Sequence, residues 1–334
     1  MINSAIKYCL FGLFICMRVS AQDPHYSQYF SSPLSLNPAF TGYYDGTHRL
    51  ATNFRNQWVG AGEPFTTASA SFDTRVMREK LGKNLLGLGA IVTTDRTASG
   101  SYNSNYLALS AAYHQALDED GTHHLGIGFQ VSYGTRILDY NKVSFNSQFA
   151  SRGFDLTLPN NENFVTRRAN YMDFNFGLMY NYLKDRKRFY IGTSYYHVSQ
   201  PSMTFLGNDP YTLPSRFTVH SGASFLVGPQ GEVFLSAQYM SQGAATNQVV
   251  GLAYGYSPHE FNDDNVIYFG AFYRNKDAIY PYVGYLFNDL QIGVTYDINV
   301  TNLQISNSRN KSFELSLIYH FFDANEVRRV MPWY

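Results

Sequence analysis

Charge is scarce in this chain. Asp, Glu, Lys and Arg make up 15% of its 334 residues, and acidic and basic residues balance at 25 each; an ordinary soluble domain carries about 25% charge. A neutral chain has no basic surface to offer a phosphate backbone, so nucleic acid is excluded as a partner. Cysteine is scarcer still: Cys9 and Cys16 are the only two. Both fall in the first 21 residues, so the remainder has no disulfide, no thiolate nucleophile and no cysteine metal site. Long hydrophobic runs are missing as well. Past the first 21 residues no apolar stretch reaches the roughly 18 residues of a membrane helix, and the mean hydropathy is −0.26. Catalytic signatures are absent too: there is no Gly-x-Ser-x-Gly elbow, no His-Glu-x-x-His, no Walker loop and no Rossmann glycine motif.

What is abundant is aromatic. Tyr, Phe and Trp number 28, 26 and 2, or 17% of the chain, which argues against disorder. Many aromatics with few charges suit a sheet that is apolar on one face and polar on the other. The first residues, MINSAIKYCLFGLFICMRVSAQ, read as an export signal over 1–21. Lys7 supplies the positive start, Tyr8 to Met17 the apolar core, and Val19-Ser20-Ala21 the small-residue cleavage site.

The rest alternates with period two. Leu290, Ile292, Val294, Tyr296 and Ile298 share one face of a strand, against Gln291, Gly293, Thr295, Asp297 and Asn299. Phe313, Leu315, Leu317, Tyr319 and Phe321 do the same against Ser312, Glu314, Ser316 and His320. Segments of about ten residues with this alternation, parted by turns, are the signature of a transmembrane β-barrel. A soluble sandwich also alternates, but its outer face carries charge; here the polar face is mostly Gly, Ser, Thr, Asn and Gln.

The pattern predicts an all-β, antiparallel, up-and-down barrel over 47–322, with fourteen strands at 47–59, 65–77, 84–97, 102–115, 122–138, 168–183, 188–198, 215–227, 231–241, 246–256, 265–274, 278–287, 289–299 and 312–322. An even count puts both ends in the periplasm. The longest connections, 139–167, 199–214 and 300–311, all follow odd strands, as that topology demands. Residues 22–46 fit no strand and are expected to form a periplasmic or plug segment; 323–334 form a tail. By strand phase Arg55, Asp73, Arg136, Asp173, Glu232 and Asp297 face the lumen.

Two clusters invite chemistry. His197 and His220 lie on adjacent strands near Ser199 and Ser221, the residue types of a barrel lipase, but no spacing marks a triad. His123 and His124 beside Asp118-Glu119-Asp120 offer metal-ligand types, but a solvated turn is the simpler reading. No cofactor is expected.

Residues 22–73 carry a more specific pattern. Tyr26-Ser27-Gln28-Tyr29 is followed by Ser32-Pro33-Leu34 and Leu36-Asn37-Pro38-Ala39-Phe40-Thr41-Gly42. Then come Arg55-Asn56-Gln57-Trp58-Val59-Gly60 and Ser71-Phe72-Asp73. Farther on stand Phe145-Asn146-Ser147-Gln148-Phe149, Gly153-Phe154-Asp155, Asp173-Phe174-Asn175-Phe176-Gly177 and Phe313-Glu314-Leu315-Ser316-Leu317. The chain resembles the PorP/SprF family of outer-membrane proteins of the type IX secretion system. The tail after Phe322 departs from that family, whose chains end nearer the last strand. The resemblance implies a non-enzymatic barrel in the outer membrane that either assists secretion, helping the apparatus engage its periplasmic components, or anchors a secreted cargo at the surface. Its implied partners are outer-membrane lipid, the secretion system's periplasmic ring and peptidoglycan-associated lipoproteins, and a secreted cargo, such as an adhesin, with a C-terminal sorting domain. The alternative is a diffusion channel or FadL-like transporter for small hydrophobic solutes.

Gln28, Tyr29, Asn37, Pro38 and Gly42, with Arg55, Gln57 and Trp58, are expected to form one unit at the lower barrel. Asn37 precedes a proline and so favours extended backbone. Gly42 can supply the positive φ of a turn into the first strand. Arg55 and Gln57 point inward, with Asp73 a candidate partner for the Arg55 guanidinium. Trp58 points to the lipid near the outer end of the strand, where an indole suits the interface.

Overall fold

The computed structural model describes residues 23–59, 64–97, 100–162, 166–205, 211–258, 265–300 and 311–323. The export signal expected over 1–21 and nearly all of the expected tail lie outside them.

Fourteen long strands close into one antiparallel barrel. They are β1 (His48–Val59), β2 (Phe65–Val76), β3 (Leu85–Thr97), β4 (Tyr102–Ala116), β5 (His123–Leu138), β6 (Arg168–Lys184) and β7 (Lys187–Tyr196), then β8 (Arg216–Leu226), β9 (Gly231–Gln242), β10 (Ala245–Tyr256), β11 (Asn265–Arg274), β12 (Ala278–Phe287), β13 (Leu290–Asn299) and β14 (Lys311–Phe321). Each pairs with its sequence neighbours, and β1 closes the ring on β14 with Arg49 opposite His320 and Arg55 opposite Glu314. The expected fourteen-strand barrel is what the chain forms, and its limits differ from those read in the sequence by at most two residues. A minor addition was not expected: Phe149–Ala150 and Gly153–Phe154 pair as a small hairpin inside the 139–167 connection.

The strands form because their alternation satisfies two solvents at once. Leu109, Ile127 and Phe269 on the outward face are 63%, 57% and 55% exposed, a burden in water but favourable in hydrocarbon. Inward positions are polar and buried: Asn53, Ser71, Gln130, Asn175, Thr218, Thr295 and Ser316. Closure leaves no edge to satisfy. No helix among the described residues is long and apolar enough to cross a membrane; the strands do the crossing.

The barrel has two distinct rims. The start of β1 and the end of β14 share the near rim, where β6 and β7 are joined by Asp185 and Arg186 alone. The far rim carries the connections after β5 and β7. The latter folds back over the lumen: Met203 and Leu213 are buried against Ala169 and Tyr171.

Residues 23–46 enter no strand and fill the lumen. They form a 3₁₀ turn at Tyr29–Ser31, one helical turn at Pro33–Leu36 and another 3₁₀ turn at Pro38–Phe40. Their apolar side chains make the core. Tyr29, Phe30, Leu36 and Phe40 are buried against Tyr190, Phe234, Phe272, Tyr280 and Tyr282 of the wall. Phe30 stacks on Phe272 at 5.5 Å and meets Tyr282 edge-on at 5.5 Å, both within the favourable range for aromatic pairs. The hydrophobic core of this barrel is therefore inside it, built between wall and segment.

Candidate functional site

The filled lumen is organised by four polar anchors along the segment. At the near rim, Gly42 takes φ +73° and turns the chain toward β1. Its N–H donates to Asp73 (2.8 Å), and its carbonyl accepts from Arg75 Nε (2.9 Å). Asp73 also accepts two bonds from Arg49, at 3.0 and 2.9 Å, so the carboxylate is fully engaged. Arg49 stands over the Tyr44 ring at 4.6 Å, a cation–π contact.

At mid-height, Asn37 is extended (φ −156°, ψ 122°), as a residue before proline should be. Its Oδ1 caps the following turn by accepting from Ala39 N–H at 2.8 Å. Its Nδ2 donates to the carbonyls of Leu178 (3.1 Å) and Thr193 (3.2 Å) and lies 2.9 Å from His220 Nε2. The wall is thinned to admit it. Gly128 and Gly177 are cross-strand partners. A Cβ at Gly177 would stand 1.8 Å from Asn37 Oδ1, and one at Gly128 would stand 2.2 Å from Ala39 N. Only glycine lets the segment lie this close.

Beside β13 and β14, Ser27 and Gln28 donate their N–H groups to Glu314 at 2.7 and 3.0 Å. The Gln28 amide bridges to the Glu314 carbonyl (3.2 Å) and accepts from Ser316 Oγ (2.6 Å). Around Ser27 stand two arginines and two carboxylates. Arg55 pairs with Asp297 (3.0 Å) and Glu314 (3.2 Å) and donates to Ser27 Oγ. Arg274 pairs with Asp297 (3.2 Å) and Asp277 (2.8 Å) and donates to Ser27 Oγ (2.7 Å). Gln57, with its amide oxygen turned inward, accepts from Arg55 at 2.7 and 2.9 Å. Charges this deeply buried persist only when paired and hydrogen-bonded.

The segment reaches the far rim at Asp23. Its carboxylate meets His197, Arg216 (3.5 Å) and Arg136 (3.7 Å), and its N–H donates to Gln242 (2.8 Å). Burial pushes the Asp23 carboxyl up, but His197, Arg216 and Arg136 outweigh it and hold the group well below the usual carboxylate range. His197, just past β7, is conversely raised: burial lowers it, and Asp23 and Asp173 more than compensate.

Several residues stand elsewhere than the sequence suggests. The unit is not confined to the lower barrel; it runs from Gly42 at the near rim to Asp23 at the far one. Arg55 engages Asp297 and Glu314, and Asp73 belongs to Arg49 instead. Arg55 opposes Thr67 on β2, whereas Arg49 directly opposes Asp73. Tyr29 is a buried ring of the core, edge-on to Phe30 at 5.7 Å. Pro38 starts the turn that Asn37 caps. Arg136 and Asp173 belong to the far-rim cluster, whereas Glu232 is half-buried at the near end of β9. Trp58 faces outward, 41% exposed, edge-on to Phe65 at 4.7 Å. It sits at φ +60° where the β1–β14 register slips, the mark of a bulge. Glu314 faces inward, as the alternation of its strand places it, and Arg49 and Arg274 are further lumen charges. Arg49 has the same strand parity as Arg55, and that signal was available.

The remaining clusters do not converge on chemistry. Both His197 nitrogens face carboxylates, Asp173 (2.6 Å) and Asp23, and Ser199 Oγ donates to Asp173 (2.6 Å) rather than to the imidazole. His220 faces Asn37. His123 bonds Tyr180 (2.6 Å) while His124 bonds the Lys83 carbonyl (3.0 Å), and no group of metal-ligand type gathers among the described residues.

Residues 18–319 match the family model described as "Type IX secretion system membrane protein PorP/SprF". No curated protein matches the sequence. Among solved structures, the Pseudomonas putida toluene transporter TodX is 9% identical with a TM-score of 0.48, covering 90% of this chain and 94% of its own. A Pseudomonas aeruginosa FadL homologue is 11% identical with a TM-score of 0.46, at 85% and 93% coverage. CdiB from Acinetobacter baumannii is 7% identical with a TM-score of 0.44, at 82% coverage of this chain; the match spans 60% of CdiB.

Proposed function

Because the chain belongs to the PorP/SprF family of type IX secretion system membrane proteins, we propose that it is a non-enzymatic outer-membrane barrel that holds a secreted cargo, such as an adhesin with a C-terminal sorting domain, at the cell surface. The near rim then faces the periplasm, where the secretion ring and peptidoglycan-associated lipoproteins are, and the far rim faces outward. An export signal cleaved after residue 21 delivers the chain there.

The filled lumen carries this reading. The cavities left between segment and wall near Asp23 and near His25 measure about 40 and 30 Å³. A water needs about 10–15 Å³ on this measure, so each holds a few waters and not a hydrophobic solute. A channel needs a continuous path, whereas an anchor needs a rigid frame. The 139–167 connection supports a docking role at the far rim, since Phe149, Phe154 and Leu156 are exposed on it.

The reading is tested in two steps. Purified protein in a planar bilayer should show no large steady conductance, and such a conductance from intact protein would favour a diffusion channel for small hydrophobic solutes. Cross-linking from Asn160→Cys on intact cells should capture a secreted protein bearing a sorting domain. Labelling at Asp185→Cys on intact cells, with Asn160→Cys shielded, would invert the topology.

A further inference from the structure

The outward face of β5, β6 and β7 is graded toward the near rim. At mid-height Ile127 faces Leu178, and nearer the rim His123 faces Tyr182, which faces Phe189. Ile127, Leu178 and Phe189 are exposed. The His123 ring stands 5.1 Å from that of Tyr182, and its Nδ1 lies 2.6 Å from the Tyr180 hydroxyl. Aliphatic side chains thus give way to an aromatic shelf, the order found from the hydrocarbon to the interface of a membrane. One step beyond the shelf Lys184 faces Lys187. Both are exposed, and both keep the outward phase of their strands.

Two penalties are built into this turn. Like charges directly opposite each other repel, and neither lysine forms an ion pair with a described residue. Between them, Asp185 and Arg186 both take positive φ, 50° and 63°. A two-residue hairpin usually gives those positions to Asn-Gly or Asp-Gly, and an arginine adopts the conformation at a cost. Other near-rim hairpins end without charge on the outward face: Val76 faces Leu86, Phe225 faces Val233 and Phe287 faces Leu290. Arg188, the inward neighbour of Lys187, is held inside the barrel by Asp45 at 2.6 Å.

Facing residues beside such a turn have Cα atoms about 5.5 Å apart, and a lysine extends its ammonium to headgroup level along a flexible stem. Both ammonium groups therefore reach a single phosphate, and an anion between them offsets their repulsion. We propose that the near end of the β6–β7 hairpin binds an anionic phospholipid, its phosphate between Lys184 and Lys187 and its glycerol against Tyr182 and Phe189. An acidic peptide would meet the lysines but not the shelf, which faces the membrane. The leaflet concerned follows from the topology proposed above; the site itself does not depend on it.

Native mass spectrometry of the full-length barrel, offered equal amounts of phosphatidylglycerol and phosphatidylethanolamine, tests this. Wild type should retain phosphatidylglycerol about tenfold or more over the zwitterionic lipid. Lys184→Gln/Lys187→Gln should abolish that preference, and Lys184→Arg/Lys187→Arg should keep it. Asp185→Asn removes the carboxylate between the lysines, in a conformation that asparagine tolerates, and should raise it. An excess of a soluble glutamate peptide should leave the lipid in place. All these side chains lie outside the lumen, so heat resistance of the barrel reports whether each variant has folded. Equal retention of the two lipids by wild type, an undiminished preference in the glutamine variant, or a lower one in Asp185→Asn would overturn the proposal. So would displacement of the lipid by the glutamate peptide, which would leave a site for acidic protein segments instead. Bilayer conductance and cargo capture are separate readouts and do not depend on this outcome.

Discussion

Asn37 offers a sharp test of how the segment is held. Replacing it with alanine removes the cap on Ala39 N–H and the amide that donates to the carbonyls of Leu178 and Thr193. It also removes the group against His220. Loss of a cap costs about 0.5–2 kcal/mol, and each buried polar group left unpaired costs about 1–3 kcal/mol. The two carbonyls are also cross-strand neighbours in the β6–β7 ladder, so the loss there falls at the low end. A total of about 3 kcal/mol follows. For a domain of this size it should lower the midpoint of heat unfolding, read as loss of the compact band in electrophoresis, by about 5–10 °C. Asn37→Asp keeps the cap but turns two donors into acceptors facing carbonyls, so it should be at least as harmful. Two variants indistinguishable from wild type in midpoint would refute the argument that the segment is anchored by this amide.

The other anchors make parallel predictions. Arg55→Met leaves Asp297 and Glu314 short of a buried partner and should destabilise the barrel by about 3–5 kcal/mol; adding Glu314→Gln should restore part of the loss in the same heating assay. Gly177→Val drives a side chain into Asn37 and should prevent the segment from seating, seen as protease cleavage within 23–46. The far-rim latch should depend on pH. Because His197 is raised in the folded state, its contribution is complete below the ordinary imidazole value of about 6.5 and is lost as pH rises through the raised one. Asp23, held low, contributes above the ordinary carboxylate value of about 3.9 and is lost only in strong acid. Heat resistance should therefore fall on the alkaline side of about 6.5 in wild type, and Asp23→Asn should flatten that dependence. Deleting residues 23–42 should convert a silent protein into one with steady bilayer conductance.

The barrel was legible in the sequence because each strand repeats one rule, apolar then polar, over ten or more residues. Leu290 to Asn299 needs no knowledge of its neighbours to be placed. The lumen charges were legible only as positions. Strand phase put Arg55, Asp73 and Asp297 inside, but which arginine meets which carboxylate depends on the register between strands. The β1–β2 register sets Arg49 against Asp73, and closure of β1 on β14 sets Arg55 against Glu314. Neither is local information. Residues 23–46 carry no periodicity, so their path was open. The wall glycines held the missing signal. Gly128 and Gly177 have no local turn to serve, and an inward glycine in a strand marks the close approach of another backbone.

That path also says when the segment must be in place. Arg55 belongs to β1, whereas Asp297 and Glu314 belong to β13 and β14, so the ion pairs cross the seam that closes the barrel. Ser27 sits among them, bonding both arginines and both carboxylates. Without it, Arg55 on one side of the seam and Arg274, Asp297 and Glu314 on the other would meet at closure with fewer compensating hydrogen bonds. The same segment is pinned at the near rim by Asp73 and at the far rim by His197, Arg216 and Arg136. A chain threaded in after closure would have to insert Tyr29, Phe30 and Phe40 among Tyr190, Phe272 and Tyr282 of the wall. These contacts favour closure of β1 on β14 around the segment, and deletion of residues 23–42 should therefore slow closure of the barrel on refolding.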